Sequence, residues 1–135
     1  MTALTETGAT VVLREGEAYT ITVRGHQIHV DQPTSAGGAD TAATPVELFV
    51  ASLASCVAYY AGRYLTRHGI SREGLTVRAE FGMATDSPVR VGGVQITVDA
   101  PMLPSTRRAG LRAVVNHCTV HNSLRQPPSV EISVA

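Results

Sequence analysis

Two cysteines are the residues of this chain whose chemistry stands out. Cys56 lies in a run of apolar and small residues, and Cys118 lies in the segment His117-Cys118-Thr119-Val120-His121. A free cysteine is usually a buried core residue, and Cys56 alone would be interpreted in that way. Cys118 changes the interpretation, because a thiol beside two histidines can be held as thiolate when an imidazole nearby is protonated. Two such thiols on packed helices could approach within disulfide reach, and we predict a redox centre.

The segment around Cys118 also allows a metal site as a second interpretation. Cys118 and His121 are spaced as two ligands on one helical turn would be, and His117 adds a third. A structural zinc site takes about four nitrogen or sulfur ligands, and Cys56 could supply the last. The plainer alternative is that both histidines are polar side chains near a helix end. We expect no bound metal and no cofactor.

A long helix is predicted to carry Cys56. It begins at Thr44-Pro45-Val46-Glu47, where Thr44 can cap, proline suits the first helical position and Glu47 completes a capping box. It runs from about Pro45 to His68, and Gly69 is well placed to end it.

This helix is too long and too apolar to be covered by one small domain. At 1.5 Å per residue it spans roughly 36 Å, whereas a chain of this size has a radius of gyration of about 14 Å. From Leu48 to Tyr60 it is apolar or small nearly all round. A helix of that kind is buried on all sides, and one small sheet cannot bury it. We therefore predict a homodimer whose second copy covers the other face.

The remaining segments predict an α+β fold. Strands are expected where residues alternate between turn signals, at 9–14, 18–24, 26–30, 74–83, 91–100 and 129–134. A loop fills 31–44, and a bulge is expected at Gly92-Gly93. A second helix opens at Pro104-Ser105 and places Cys118 near its end, before an irregular connection over 121–128. The predicted order is β-β-β-α-β-β-α-β in a single domain spanning residues 1–135.

Composition and charge narrow the classes of function. The chain has 11 basic and 11 acidic residues, so the formal net charge is zero. Without a basic excess we expect neither nucleic acid nor an anionic membrane as a partner. Met1 to Thr10 lacks the features of a signal peptide, and the stretch Leu48–Ala61 is interrupted by two serines and falls short of a membrane span. The expected location is the cytoplasm, where thiols stay reduced.

Both cysteine segments resemble the motifs of the OsmC/Ohr family, the osmotically induced and organic-hydroperoxide-resistance proteins. Residues 44–56 are similar to the first motif, in which a proline and an acid precede leucine, small residues and cysteine. Residues 117–124 are similar to the second, with Thr119 in place of the usual proline. The Gly-Gly-Ala-Asp loop at 37–40 also resembles the family. The resemblance covers essentially the whole chain and implies the OsmC-like fold, with a long central helix and an intertwined homodimer.

The resemblance also implies an activity. Members of this family are thiol peroxidases that reduce organic hydroperoxides in defence against oxidative stress. By similarity, Cys56 would be the peroxidatic cysteine, which becomes a sulfenic acid, and Cys118 the resolving cysteine, which forms a disulfide with it. A dithiol reductant, such as a lipoylated protein, would restore both thiols.

The groups that activate the thiol depart from the family pattern. Peroxidatic members carry their glutamate one residue earlier, at the position of Val46, and Glu47 lies on the opposite side of the helix from Cys56. The family's strand arginine falls near Tyr19. The candidate activating or site-lining residues are therefore Glu47, Arg63, Arg14, Arg24, Tyr19, His117 and His121. The departures keep two alternatives open: a non-catalytic OsmC-fold protein that binds small molecules or thiol adducts, and a metal-binding module using Cys118, His117 and His121.

Overall fold

The N-terminal part of the chain forms a three-stranded antiparallel sheet. The computed structural model describes residues 8–135, so the signal-peptide prediction for Met1–Thr10 falls largely outside the described residues. The strands pair in the order β1 (Thr10–Glu15), β2 (Ala18–Val23) and β3 (His26–Val30), as the alternating pattern predicts. The turn after β2 uses positive backbone φ angles at Arg24 (48°) and Gly25 (81°), the latter a conformation that glycine adopts without strain.

A buried carboxylate organises the loop that follows β3. Asp31 accepts hydrogen bonds from the backbone N–H of Gln32 at 2.7 Å and from the N–H and hydroxyl of Thr41 at 3.0 and 2.7 Å. Hydrogen bonds to the charged form favour it, so they lower the pKa of Asp31 to about 2, the Thr41 hydroxyl contributing most. A side chain at Gly38 would collide with the carbonyl oxygen of Gln32, which explains the glycine there. The loop is thus fixed by its own polar groups.

Helix α1 spans Pro45–Arg67, close to the predicted limits. Its capping box forms as predicted: the N–H of Thr44 donates to the carboxylate of Glu47 at 2.9 Å, and the N–H of Glu47 donates to the hydroxyl of Thr44 at 3.1 Å. Gly69, with φ of 66°, follows its end. The N–H of Ile70 donates to the carbonyl of Leu65 at 2.8 Å, which closes the last turn.

Burial of α1 is one-sided in the single chain. Its buried side includes Leu53, Val57 and Leu65, whereas Tyr59 on the opposite side and Phe49 near the start of the helix stay exposed. The all-round burial expected from the sequence is therefore not met within one chain. By length and composition alone the helix could also cross a bilayer, since its most apolar window has a mean hydropathy of 1.3, and the interrupting serines do not prevent this. Core helices of globular proteins reach the same values.

Two longer strands follow, β4 (Thr76–Met83) and β5 (Val91–Asp99), paired antiparallel. The register shifts where Gly82 faces Gly93 and Met83 faces Val91, so Gly92 is the extra residue of a bulge. A Cβ at Gly92 would lie 2.9 Å from the backbone of Ala84, which requires glycine there. The bulge predicted at Gly92-Gly93 is confirmed.

The second predicted helix is in fact two short helices. After a 3-10 turn at Ser105–Arg107, α2 covers Arg108–Val115 and α3 covers Thr119–Arg125. Cys118 separates them with an extended backbone (φ −65°, ψ 153°) and begins α3 instead of ending the earlier helix. The irregular connection predicted over 121–128 was wrong for most of its length.

The C-terminal residues form no strand in the single chain. Residues 129–134 alternate apolar and polar side chains as a strand would, but Val130, Ile132 and Val134 are 75%, 88% and 95% exposed. The prediction of a final strand is not met, because no strand within residues 8–135 supplies hydrogen bonds to this segment. The α+β class is confirmed, with five strands among the described residues.

The chain divides into two compact units, residues 1–49 and 50–135. The second unit contains two packed clusters. One consists of Ala61, Tyr64, Leu65 and Leu111, and the other of Leu53, Val57 and Cys118 with half-buried neighbours that include Cys56. The candidate site lies in the second cluster.

Candidate functional site: the cysteine pair

Cys56 lies in the middle of α1 and is half-buried. It packs against the cluster formed by Leu53, Val57 and Cys118. Its place on a regular helix fixes its backbone, because every residue of this part of α1 is held by the helical hydrogen bonds. The residue is partly exposed, in contrast to Cys118.

Cys118 occupies a different kind of position. It is fully buried and serves as the N-cap residue of α3, where its Sγ accepts a hydrogen bond from the backbone N–H of His121 at 3.4 Å. Serine, threonine and asparagine usually fill this position, since a side-chain acceptor satisfies one of the free N–H groups at a helix start. The thiol of cysteine is a weaker hydrogen-bond acceptor than these side chains, but it is chemically more reactive.

The structure brings the two cysteines together. Burial raises the pKa of the Cys118 thiol, and the nearby Cys56 raises it further, while the His121 N–H acts in the opposite direction. Cys118 is thus held as a neutral thiol at neutral pH. Both cysteines are free thiols in this structure, and their proximity allows exchange between a dithiol and a disulfide.

A hydrogen bond between tyrosine and threonine fastens the two cysteine segments to each other. The hydroxyls of Tyr60, one turn after Cys56, and Thr119, next to Cys118, lie 2.7 Å apart. The sequence alone predicted no partner for either residue. Each residue lies close to a cysteine in the sequence, but this position does not indicate that the two residues bond to each other.

Two candidate activating residues have other partners. The guanidinium of Arg63 donates to the hydroxyl of Tyr59 at 2.9 Å and lies 5.7 Å from the centre of its ring. The carboxylate of Glu47 accepts from the N–H of Thr44 in the capping box. Neither arrangement shows a contact with Cys56.

Three of the other candidates belong to the first unit, and two belong to the Cys118 segment. Arg14 on β1, Tyr19 on β2 and Arg24 in the next turn are exposed members of the first unit. His117 is exposed, and His121 is half-buried and contributes its backbone N–H to Cys118.

The metal interpretation gains no support from the geometry. Across residues 8–135, no group of three or more histidine, cysteine, aspartate or glutamate side chains is arranged to hold a metal ion. The cluster of Cys118, His117 and His121 that the sequence offered is therefore not assembled as a ligand set. The site instead consists of two thiols, a half-buried one at Cys56 and a fully buried one at Cys118.

Comparison with known proteins identifies the fold and the family. A family profile described as OsmC-like protein matches residues 37–133. A protein from Psychrobacter arcticus 273-4, assigned to the osmotic stress induced and detoxification response, has 23% identity and a TM-score of 0.79, over 91% of this chain and 90% of that one.

Other similar structures are those of proteins named for resistance to organic hydroperoxides. The organic hydroperoxide resistance protein OsmC of Legionella pneumophila is 22% identical, with a TM-score of 0.69 over 92% of each chain. OhrB of Bacillus subtilis, an organic hydroperoxide resistance protein, is 20% identical, with a TM-score of 0.65 over 93% of this chain and 94% of that one. No curated protein is similar enough in sequence to match. On the profile match and the shared fold, this chain belongs to the OsmC-like protein family.

Proposed function

We propose that the protein is a thiol-dependent peroxidase that reduces organic hydroperoxides, with Cys56 as the peroxidatic and Cys118 as the resolving cysteine. The observation that carries the proposal is the contact between a half-exposed thiol on α1 and a fully buried thiol at the start of α3. A peroxidatic sulfur must meet its substrate, which favours Cys56. A resolving sulfur only has to meet the first one, which buried Cys118 can do.

The chemistry follows from these two environments. The thiolate of Cys56 attacks the distal oxygen of the hydroperoxide, the O–O bond breaks, and the alkoxide takes a proton and leaves as the alcohol. Cys56 is then a sulfenic acid. The sulfur of Cys118 attacks the sulfur of Cys56, the S–O bond breaks, and hydroxide leaves as water with the proton of Cys118. The product is a disulfide between Cys56 and Cys118.

The burial of Cys118 also favours one order of steps when the Cys56–Cys118 disulfide is reduced. An external dithiol attacks the accessible sulfur, that of Cys56, and Cys118 leaves as thiolate. The N–H of His121, which already donates to Cys118, stabilises that leaving group. The second thiol of the reductant then attacks the mixed disulfide at the reductant's own sulfur and releases Cys56. A lipoylated protein fits the role of such a dithiol.

We include a homodimer and a cytoplasmic location in the proposal. The exposed part of α1, with Phe49 and Tyr59, is an apolar surface that a second copy would cover. The segment 129–134 has the alternation of a strand and pairs with none of the five strands that the structure describes. A reducing compartment keeps both cysteines as thiols between cycles. The biological role proposed is defence against oxidative stress.

A turnover assay tests the proposal. The purified, fully reduced protein is given cumene hydroperoxide together with dithiothreitol or dihydrolipoamide, and loss of hydroperoxide is followed against a Cys56→Ser variant. We expect turnover that requires both the dithiol and Cys56. Hydroperoxide loss at the same rate with Cys56→Ser, or none with either dithiol, would refute the peroxidase.

The alternative is a non-catalytic binder of small molecules or thiol adducts. The partners of Glu47 and Arg63 favour it, because both candidate activating groups are engaged elsewhere in the single chain. The same assay separates the two functions, because a binder shows no dithiol-dependent consumption of hydroperoxide beyond one equivalent per Cys56.

A further inference from the structure

The second unit contains a cavity that neither cysteine lines. It lies between α1, β5 and α2 and has a volume of about 590 Å³, within the range of about 300–1,000 Å³ typical of small-molecule sites. Nine of its fifteen lining residues are aliphatic, among them Leu53, Val57, Val94, Ile96, Leu111 and Val115, and the other six are polar or charged. The three β5 and α2 residues Val94, Ile96 and Val115 are only half-buried, so their apolar surface is incompletely covered within the chain.

Two arginines stand at the rim of this cavity. Arg108 and Arg112 lie one turn apart on α2, and both are exposed. Among residues 8–135, the ion pair within 4.0 Å joins Arg90 to Asp86, so neither rim guanidinium has a carboxylate partner in this part of the chain. The α2 side of the cavity therefore presents positive charge beside an apolar interior.

The charge of the lining residues indicates which kind of anion the cavity would bind. Asp99 also lines the cavity, so the two arginines and the one aspartate together carry a formal charge of plus one. A monoanion matches this charge better than a dianionic phosphate does. A guanidinium fork also binds the two oxygens of a carboxylate with two parallel hydrogen bonds.

We infer that this cavity binds an amphipathic monocarboxylate of the fatty-acid class, with the alkyl chain on the aliphatic walls and the carboxylate at Arg108 and Arg112. This site is separate from the proposed peroxidase chemistry, since it needs neither thiol. It is adjacent to that chemistry, because Leu53 and Val57 contact both the cavity and Cys118.

Binding of decanoate to the reduced protein, without peroxide, tests this inference. Titration calorimetry compares decanoate with decanol, which has the same chain and no charge. We expect decanoate to bind at least about tenfold more tightly, the effect of a charge-assisted pair of hydrogen bonds. The variant Arg108→Gln/Arg112→Gln should lose that advantage and bind both compounds alike.

A matched variant controls for overall charge. Arg78→Gln/Arg125→Gln removes the same two charges from exposed positions on β4 and α3 that do not line the cavity, and it should retain the preference for decanoate. Equal affinity of the wild-type protein for decanoate and decanol would overturn the inference. So would an equal loss in both double variants, or no decanoate binding up to about 1 mM by folded wild-type protein.

Discussion

The middle of α1 and the junction between α2 and α3 each carry one cysteine. The two cysteines differ in backbone conformation, in burial and in the hydrogen bonds that their sulfur atoms accept. Cys56 lies within a regular helix and is half-exposed. Cys118 lies where the helical backbone is interrupted, is fully buried, and caps the next helix with its sulfur. Two identical side chains in contact can therefore take different roles, one meeting the substrate and the other meeting only its partner.

The largest expected effect comes from removing the exposed member of the pair. Cys56→Ser should reduce hydroperoxide consumption to the rate without protein, because Cys118 is buried and its raised pKa keeps it protonated. The measurement is dithiol-dependent loss of cumene hydroperoxide, with circular dichroism to show that the variant is folded. Substantial activity in Cys56→Ser would assign the peroxidatic role to Cys118 and reverse the comparison.

Removing the buried member should give a partial and different defect. Cys118→Ser retains the first step, so one equivalent of hydroperoxide is consumed and Cys56 accumulates as sulfenic acid, trapped with dimedone and located by mass spectrometry. Serine is itself a good N-cap residue, so α3 should persist. Absence of dimedone from Cys56 after oxidation would contradict the role given to Cys56.

Asp31 is a third buried group to set beside the two thiols, because burial raises the pKa of Asp31 and of Cys118 alike and yet their net shifts are opposite. Both Asp31 and Cys118 are almost fully buried, yet the pKa of Asp31 is lowered to about 2 whereas that of Cys118 is raised. The carboxylate accepts three short hydrogen bonds, and the thiol accepts one of 3.4 Å. Hydrogen bonds to the charged form, where present, outweigh burial.

Acid titration of stability tests this contrast. A lowered pKa in the folded state means that Asp31 contributes stability above its ordinary pKa of 3.8, and the contribution is lost as the pH falls toward 2. Asp31→Asn should lower the melting temperature by several degrees at pH 7, and the difference from wild type should shrink below pH 3.8. Asp86→Asn, which breaks an exposed ion pair with Arg90, should have little effect. A gap for Asp31→Asn that is the same at both pH values would contradict the account.

The smallest effect is expected at the hydrogen bond that joins the two cysteine segments. Tyr60→Phe removes the 2.7 Å contact with Thr119 and should lower the free energy of unfolding by about 1 kcal/mol. It should also slow disulfide formation slightly, since the two segments are held less firmly. Tyr59→Phe is the matched control on the exposed side of α1. A double-mutant cycle with Thr119→Val that shows no coupling would exclude this role for the pair.

Local signals in the sequence were sufficient for some elements and not for others. The capping box at Thr44 and Glu47 and the bulge at Gly92 are set by neighbouring residues, and both form as predicted. The break before α3 has no glycine or proline to mark it; it accompanies the packing of Cys118 against Leu53 and Val57. That is a tertiary cause, which a single-sequence pattern does not contain.

Some features of the candidate site were likewise predictable from the sequence, and others were not. The nearness of Cys56 to Cys118 was predicted from their two motifs, whereas the partners of their neighbours were not. Whether Arg63 turns to a thiol or to Tyr59 depends on side-chain geometry along α1. The segment 129–134 shows the same limit, because its alternation describes a strand and only a neighbouring strand can complete it.

On oxidation by an organic hydroperoxide, we expect Cys56 and Cys118 to form one disulfide. The most direct test is to treat the reduced protein with one equivalent of cumene hydroperoxide, alkylate the remaining thiols, digest without reductant and map the cross-linked peptides by mass spectrometry. The account predicts an intramolecular Cys56–Cys118 disulfide that dihydrolipoamide reverses. Recovery of both cysteines in alkylated form, or Cys56 oxidised to sulfinic acid with Cys118 still alkylated, would contradict it.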